Sequence, residues 1–150
     1  MGLCAVSDIV IAAADATFGF TETKLGLIPA VISTFVLPKI GETHVRALFA
    51  TGERFDAERA RQIGLVHEVV PDETALEERV AALMDELRGA GLEAARAAKA
   101  LVRDLRGRAP GDAMAETVRR IARQRTSAEG QEGLAAFVEK RAPSWPDTES

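Results

Sequence analysis

The chain has 150 residues, 47% apolar and 28% charged, so it is large and apolar enough for one packed domain or part of one. Its net charge of −4, with acidic residues interleaved among the arginines and lysines, argues against a nucleic-acid-binding surface, which needs clustered positive charge. No apolar run approaches the ~20 residues of a membrane span, and the N-terminus lacks a basic signal region. We therefore expect a cytoplasmic protein with neither nucleic acid nor membrane as a partner.

The first third of the chain carries strand signals. The run DIVIAA at 8–13 is short, apolar and β-branched, which predicts a buried strand, and ATFGF at 16–20 predicts a second. The segment AVISTFVLPKIG leaves two interpretations open, because Pro38 can begin a helix or kink one. Gly41 predicts a helix stop. A third short strand is predicted at LVHEVV, 65–70.

The rest of the chain has helical periodicity. Helices are predicted over 42–52, 56–64, 72–91, 92–107, about 110–126 and 132–141. Asp56 and Asp72 are the expected N-caps of two of them. In the helix at 110–126, the spacing of Met114, Val118 and Ile121 predicts one inward apolar face.

A few short strands followed by several helices predict the second half of a larger α/β domain, because two or three strands do not form a stable sheet alone. We predict a sheet-containing segment at 1–70, a helical region at 71–143 and an extended tail at 144–150.

Potential nucleophiles and metal ligands are few. Cys4 is the single cysteine, which excludes an intramolecular disulfide and fits a reducing compartment. His44 and His67 lie far apart in sequence and have no zinc-ligand spacing. We expect no metal site, and we expect Cys4 to be a small buried apolar residue.

Glu22 is the candidate proton-transfer residue. In GFTETKLGLIPA it lies between two threonines, after an apolar stretch and before a glycine and a proline. Considered locally, it is either a solvated loop glutamate, which is the common case, or a carboxylate directed into a pocket.

The run SDIVIAAADATFGFTETKLGLIPA, followed by LFATGERFDAERARQIGLVHEVVP and GLAAFVEKR, resembles the enoyl-CoA hydratase/isomerase (crotonase) family, in order and with compatible spacing. The resemblance implies an α/β fold: the C-terminal part of a crotonase-like ββα spiral, followed by a helical trimerisation region. It also implies a homotrimer or a dimer of trimers, and a chain that lacks the N-terminal half of the spiral.

The family resemblance implies hydration or dehydration of a 2-enoyl-CoA thioester through an enolate held in an oxyanion hole. Glu22 matches the family acid that transfers the α proton, whereas Gly2 occupies the position of the second family acid. Phe137 and Lys140 match the residues that contact the CoA nucleotide, although a core aromatic beside a solvated lysine explains them equally well. No cofactor is implied, because coenzyme A is part of the substrate.

The stretch IPAVISTF resembles hydratases of branched or methylglutaconyl-type CoA esters, which extends the expected substrate class. With glycine at position 2, a double-bond isomerase that uses a single acid is one alternative to the hydratase. A truncated, catalytically inactive assembly module is another. A further interpretation is that Met1 is an internal methionine of a longer enzyme.

Overall fold

Residues 1–145 are described by a computed structural model, in which the chain divides into two units, Met1–Leu83 and the residues from Met84 onward. The first unit holds all the strands. Its elements are α1 (Gly2–Val6), β1 (Ile11–Ala13), β2 (Thr17–Gly19), a 3-10 helix (Thr21–Leu25), α2 (Ala30–Thr51), β3 (Arg54–Asp56), α3 (Ala57–Gln62), β4 (Glu68–Val70) and most of α4 (Glu73–Arg88).

The strands of the first unit form two short ladders. β1 pairs in parallel with β4, and β2 pairs antiparallel with β3. The three predicted strands are therefore present, each shorter than its apolar run, whereas β3 was not predicted. Its sequence, RFD, offers a single apolar residue, so no run of β-branched side chains marks it. Both ladders pack on a core whose largest fully buried side chains are Phe20, Val36, Leu65 and Val66.

Local capping explains where α3 and α4 begin. The Asp56 carboxylate accepts a hydrogen bond from the backbone N–H of Arg59 at 2.7 Å. The Asp72 carboxylate accepts one from the N–H of Ala75 at 2.9 Å. Each satisfies a donor that the first helical turn leaves unpaired, and both predicted N-caps are confirmed.

α2 is interrupted where the sequence predicted a stop. Gly41 has φ 78° and ψ 160°, a conformation outside the helical region, and it separates two helical segments within Ala30–Thr51. Glycine adopts this positive φ without the steric penalty that a Cβ atom imposes. The ambiguous segment before it is therefore helical, and Pro38 lies inside the helix three residues before the break.

Lys39, on α2, ties α1 to this unit. Its Nζ donates to the carbonyl oxygens of Cys4 at 2.5 Å and of Ser7 at 2.8 Å, where α1 ends. Burial lowers the pKa of the Lys39 ammonium from its ordinary value. Cys4 itself is half-buried and packs against the core, close to the predicted small apolar role.

The second unit contains α5 (Leu92–Leu105), α6 (Pro110–Thr126) and α7 (Ala128–Glu139). Glu129, near the start of α7, is 6% exposed, and its carboxylate accepts the N–H groups of Glu93 at 2.9 Å and Ala94 at 2.7 Å. A carboxylate is favoured there because it meets unpaired donors at the N-terminus of α5. A Cβ atom at Gly91 would lie 2.5 Å from the Glu129 carboxylate, so the contact requires glycine.

The predicted inward face of α6 is uncovered in this chain. Met114, Val118 and Ile121 are 65%, 58% and 64% exposed, so the expectation of burial is wrong for the chain by itself. Periodicity identifies an apolar face but does not identify what covers it, and none of the described residues does. Among residues 1–145, no helix combines the length and apolarity needed to cross a membrane.

Burial within α2 gives a direct test of the core. Val36 is fully buried and Val31 is 85% exposed, on the same helix. We expect Val36→Ala to lower the free energy of unfolding by about 2 kcal/mol, because it removes buried apolar surface and leaves a cavity. Val31→Ala is the matched control, since both substitutions carry the same change in helix propensity. Urea unfolding measures both, and equal effects would contradict the assignment of the core.

Candidate active site

The backbone at Glu22 is fixed by a single 3-10 turn that follows β2 directly. The N–H of Leu27 donates to the carbonyl of Glu22 at 3.0 Å, and the N–H of Gly26 donates to that of Thr23 at 3.1 Å. Gly26 has φ 72° and ends the turn. The side chain of Glu22 is half-buried at this position.

Phe20 anchors the turn on its N-terminal side. It is 1% exposed, and its ring centroid lies 5.0 Å from that of Phe49 and 6.3 Å from that of Phe55. These distances are typical of favourable aromatic pairs. Because Phe20 is locked into the core, the residue two positions later has little freedom to leave the surface of the first unit.

Gly52 supports the turn from the end of α2. Its φ of 57° closes the helix in the left-handed conformation. A Cβ atom at Gly52 would lie 2.9 Å from Thr23 Oγ1, so glycine is also required for the turn to approach the helix end. Thr23 Oγ1 is buried and has no hydrogen-bond partner among residues 1–145. Glu22 is thus held between a buried phenylalanine and a threonine packed on glycine.

The Glu22 carboxylate forms no hydrogen bond or ion pair with another residue in the described part of the chain. A carboxylate with no internal partner on a fixed backbone is able to exchange a proton with a ligand. A hollow of about 340 Å³ lies beside the turn, and Glu22 is not part of its lining: Met1, Thr17, Phe18, Gly19, Thr21 and Arg54. Within residues 1–145, no group of three or more His, Cys, Asp or Glu side chains is arranged to hold a metal ion.

Phe137 and Lys140, the other predicted site residues, come together at the end of α7 in the second unit. Phe137 is 82% exposed, and Lys140 is also exposed. The N–H of Lys140 donates to the carbonyl of Phe137 at 3.3 Å, and the N–H of Arg141 donates to that of Ala136 at 3.0 Å. This pair of bonds is a Schellman motif, which places the residue after the helix in the left-handed conformation.

Residues 141–145, which we call the C-terminal strap, fold back onto α7 and are held there by the carboxylate of Glu132. Arg141 Nη1 and Nη2 donate to the two oxygens of Glu132 at 2.6 and 3.0 Å, and the N–H of Ser144 donates to Glu132 Oε1 at 2.7 Å. The Arg141 fork, and then the Ser144 N–H, lower the pKa of Glu132 from 4.5 to about 2. Glu132 is therefore the anchor of the strap.

Trp145 provides a second attachment for the strap. Its Nε1 donates to the carbonyl of Gly89 at 3.0 Å. A Cβ atom at Gly133 would lie 3.2 Å from the Trp145 ring, so the ring packs closely over α7 at a glycine. Of the tail predicted at 144–150, Ser144 and Trp145 lie outside helices and strands, and residues 146–150 lie outside the described part.

The comparisons with known proteins cover nearly the whole chain. The family model described as enoyl-CoA hydratase/isomerase matches residues 1–148. The solved structure of Pseudomonas aeruginosa AtuE is 43% identical with a TM-score of 0.91, and the match covers 97% of this chain and 57% of that one. An enoyl-CoA hydratase from Shewanella pealeana is 39% identical with a TM-score of 0.88, covering 96% and 54%.

The chain belongs to the enoyl-CoA hydratase/isomerase family. The Mycobacterium bovis protein named "Probable enoyl-CoA hydratase echA8" is 36% identical over 148 residues, a match that covers 95% of this chain and 56% of that protein. The chain thus spans about half the length of the curated relatives it matches. The predicted family and the crotonase-like α/β fold are confirmed, whereas the methylglutaconyl-type variant stays a prediction.

Acid should release the strap over a defined range. Because the pKa of Glu132 is lowered to about 2 from 4.5, its contribution is fully present above about pH 4.5 and is lost as the pH falls towards 2. Trp145, the single tryptophan of the chain, reports strap release through its fluorescence. Glu132→Gln removes the titrating group and should abolish this transition. The same acid transition in both proteins would contradict the role of Glu132.

Proposed function

We propose that the protein containing this chain adds water to a 2-enoyl-CoA thioester and catalyses the reverse dehydration. Membership of the enoyl-CoA hydratase/isomerase family supports the substrate class. The observation that carries the proposal is Glu22, a half-buried carboxylate on a fixed turn with no internal partner among the described residues. A positioned carboxylate of this kind is suited to general acid–base chemistry.

In the proposed hydration, the oxygen of water bonds to the β carbon, and the electrons of the double bond move onto the thioester carbonyl as an enolate. A base takes one proton of the water while the other stays on the new β-hydroxyl group, and Glu22, in its protonated form, delivers a proton to the α carbon. The enolate oxygen needs the hydrogen-bond donors of an oxyanion hole. The family resemblance assigns those donors to segments that precede Gly2. Coenzyme A enters as part of the substrate, so the proposed reaction uses no further cofactor.

Gly2 supports a second candidate, double-bond isomerisation by one acid. It stands at the position of the second family acid and is exposed, and a Cβ atom there would have open space around it, with nothing within 4 Å beyond its chain neighbours and its own helix backbone. In that reaction Glu22 would carry one proton between the α and γ carbons and no water would be added. Hydration removes the conjugated double bond, whereas isomerisation retains a double bond, so product analysis separates the two.

The segment after Glu22 supports an aliphatic acyl group. Leu25, Leu27 and Ile28 are 75%, 60% and 76% exposed, which is unusual for large apolar side chains so close in sequence. We extend the proposal to branched or methylglutaconyl-type acyl groups on the similarity of IPAVISTF. We also propose a homotrimer or a dimer of trimers, which would cover the exposed apolar face of α6, in the cytoplasm.

Substitution of Glu22 tests the chemistry. Glu22→Gln keeps the shape of the side chain and removes its proton, so turnover and exchange of the α proton with solvent deuterium should fall by about 10²–10⁴. Binding of the CoA ester should be retained. The complete gene product is used, with Glu53→Gln as control because Glu53 is an exposed glutamate of the same unit. Turnover near wild type in Glu22→Gln would leave Glu22 a loop glutamate, and no turnover in the wild type would favour an assembly module.

Substitution of Lys140 tests ligand contact. Lys140→Ala should weaken binding of a CoA ester about fivefold, the size of one exposed charge contact, and leave the matching pantetheine ester unaffected. The difference arises because the pantetheine ester lacks the nucleotide and its phosphates. Calorimetric titration with both esters measures it. An equal effect on both would indicate a packing role for Lys140.

A further inference from the structure

Lys140 has a backbone conformation that lysine rarely adopts. With φ 55° and ψ 39°, it is the sole non-glycine residue with positive φ among residues 1–145. Glycine is the usual residue at this position of a Schellman motif, because a Cβ atom is disfavoured there. A strained conformation persists only where the surrounding structure holds it, and such positions cluster at functional sites.

The ion pair between Glu132 and Arg141 restrains the backbone of Lys140 on its C-terminal side. Arg141 follows Lys140 directly, and its guanidinium binds both oxygens of the Glu132 carboxylate. Arg141 Nε also donates to Glu139 Oε2 at 2.6 Å, so carboxylates on both sides fix the fork. A two-pronged pair of this kind restricts direction as well as distance.

Further hydrogen bonds restrict the position of the C-terminal strap. The Ser144 N–H binds the same Glu132 carboxylate, and Trp145 is tied to Gly89. On the N-terminal side, the N–H of Lys140 is bonded to Phe137. The Cα of Lys140 is therefore constrained from both directions, whereas its ammonium has no hydrogen-bond partner among the described residues.

We propose that Glu132 and Arg141 are positioning residues, which hold Lys140 so that its ammonium meets the phosphate groups at the nucleotide end of a CoA ester. The inference rests on the proposed function, in which Lys140 contacts the nucleotide. Lysine is a point charge on a flexible four-carbon stem, so fixing its backbone reduces the conformational freedom lost when a phosphate binds. Neither Glu132 nor Arg141 needs to touch the ligand for this effect.

The test compares CoA and pantetheine esters in the complete gene product. Glu132→Gln should weaken binding of the CoA ester about threefold, less than Lys140→Ala, and leave the pantetheine ester unchanged. In a Lys140→Ala background it should have no further effect, because nothing remains to be positioned. Glu42→Gln is the control, since it breaks an exposed ion pair with Arg46 elsewhere in the chain.

Two further observations separate a loss of positioning from a loss of folding: the fluorescence emission of Trp145, and the effect of a second variant. Arg141→Lys preserves the charge but loses the fork, so it should show the same selective loss with a change in Trp145 emission. Suppose that Lys140→Ala weakens binding of the CoA ester alone, whereas Glu132→Gln and Arg141→Lys do not. The positioning role is then overturned, and the contact between Lys140 and the nucleotide is retained. Equal loss for both esters, or loss that adds to that of Lys140→Ala, also overturns it. If Lys140→Ala affects binding of both esters equally, Lys140 does not contact the nucleotide, and the positioning role is overturned as well.

Discussion

The geometry at Glu22 depends on the burial of Phe20. This ring joins three elements, because it lies at the end of β2 and contacts Phe49 on α2 and Phe55 on β3. Full burial of a phenylalanine contributes about 2–3 kcal/mol, and aromatic pairs add to it. The chain must then turn at once to reach solvent, and Gly52 leaves the space in which Thr23 makes that turn. A half-buried carboxylate two residues after a fully buried ring is the result.

Local signals predicted much of the fold. The helix at 110–126 begins at Pro110, whose fixed φ suits a first helical position, and it was predicted with the bounds observed. Asp56 and Asp72 defined two further starts through hydrogen bonds within three residues. β3 was missed because its pairing with β2 is a tertiary contact. The exposure of Ile121 was not predicted, because periodicity shows that one face of a helix is apolar but does not show what packs against that face.

The site was predictable to a different extent at each residue. Glu22 was proposed as a site residue through resemblance, whereas local sequence alone favoured a loop glutamate. No signal indicated that Gly52 would support its turn. Phe137 and Lys140 were proposed in the same way, but the left-handed backbone of Lys140 carries no sequence signal, since glycine is the expected residue there. The contacts of Glu132 with Arg141 and Ser144 join residues up to 12 positions apart across a helix end. Propensity and periodicity do not register contacts of this kind.

The parallel pairing of β1 with β4 has a consequence for biosynthesis. Across this ladder, the N–H of Val10 donates to His67 Nδ1 over a separation of 57 positions, and the turn at Glu22 and all of α2 lie inside that loop. Closing so long a loop costs entropy that local contacts do not, so the turn and the helix can form first. A ribosome releases β1 well before β4, which leaves the apolar edge at Ile11 unpaired in the meantime. That interval is when a neighbouring nascent chain can compete for the strand.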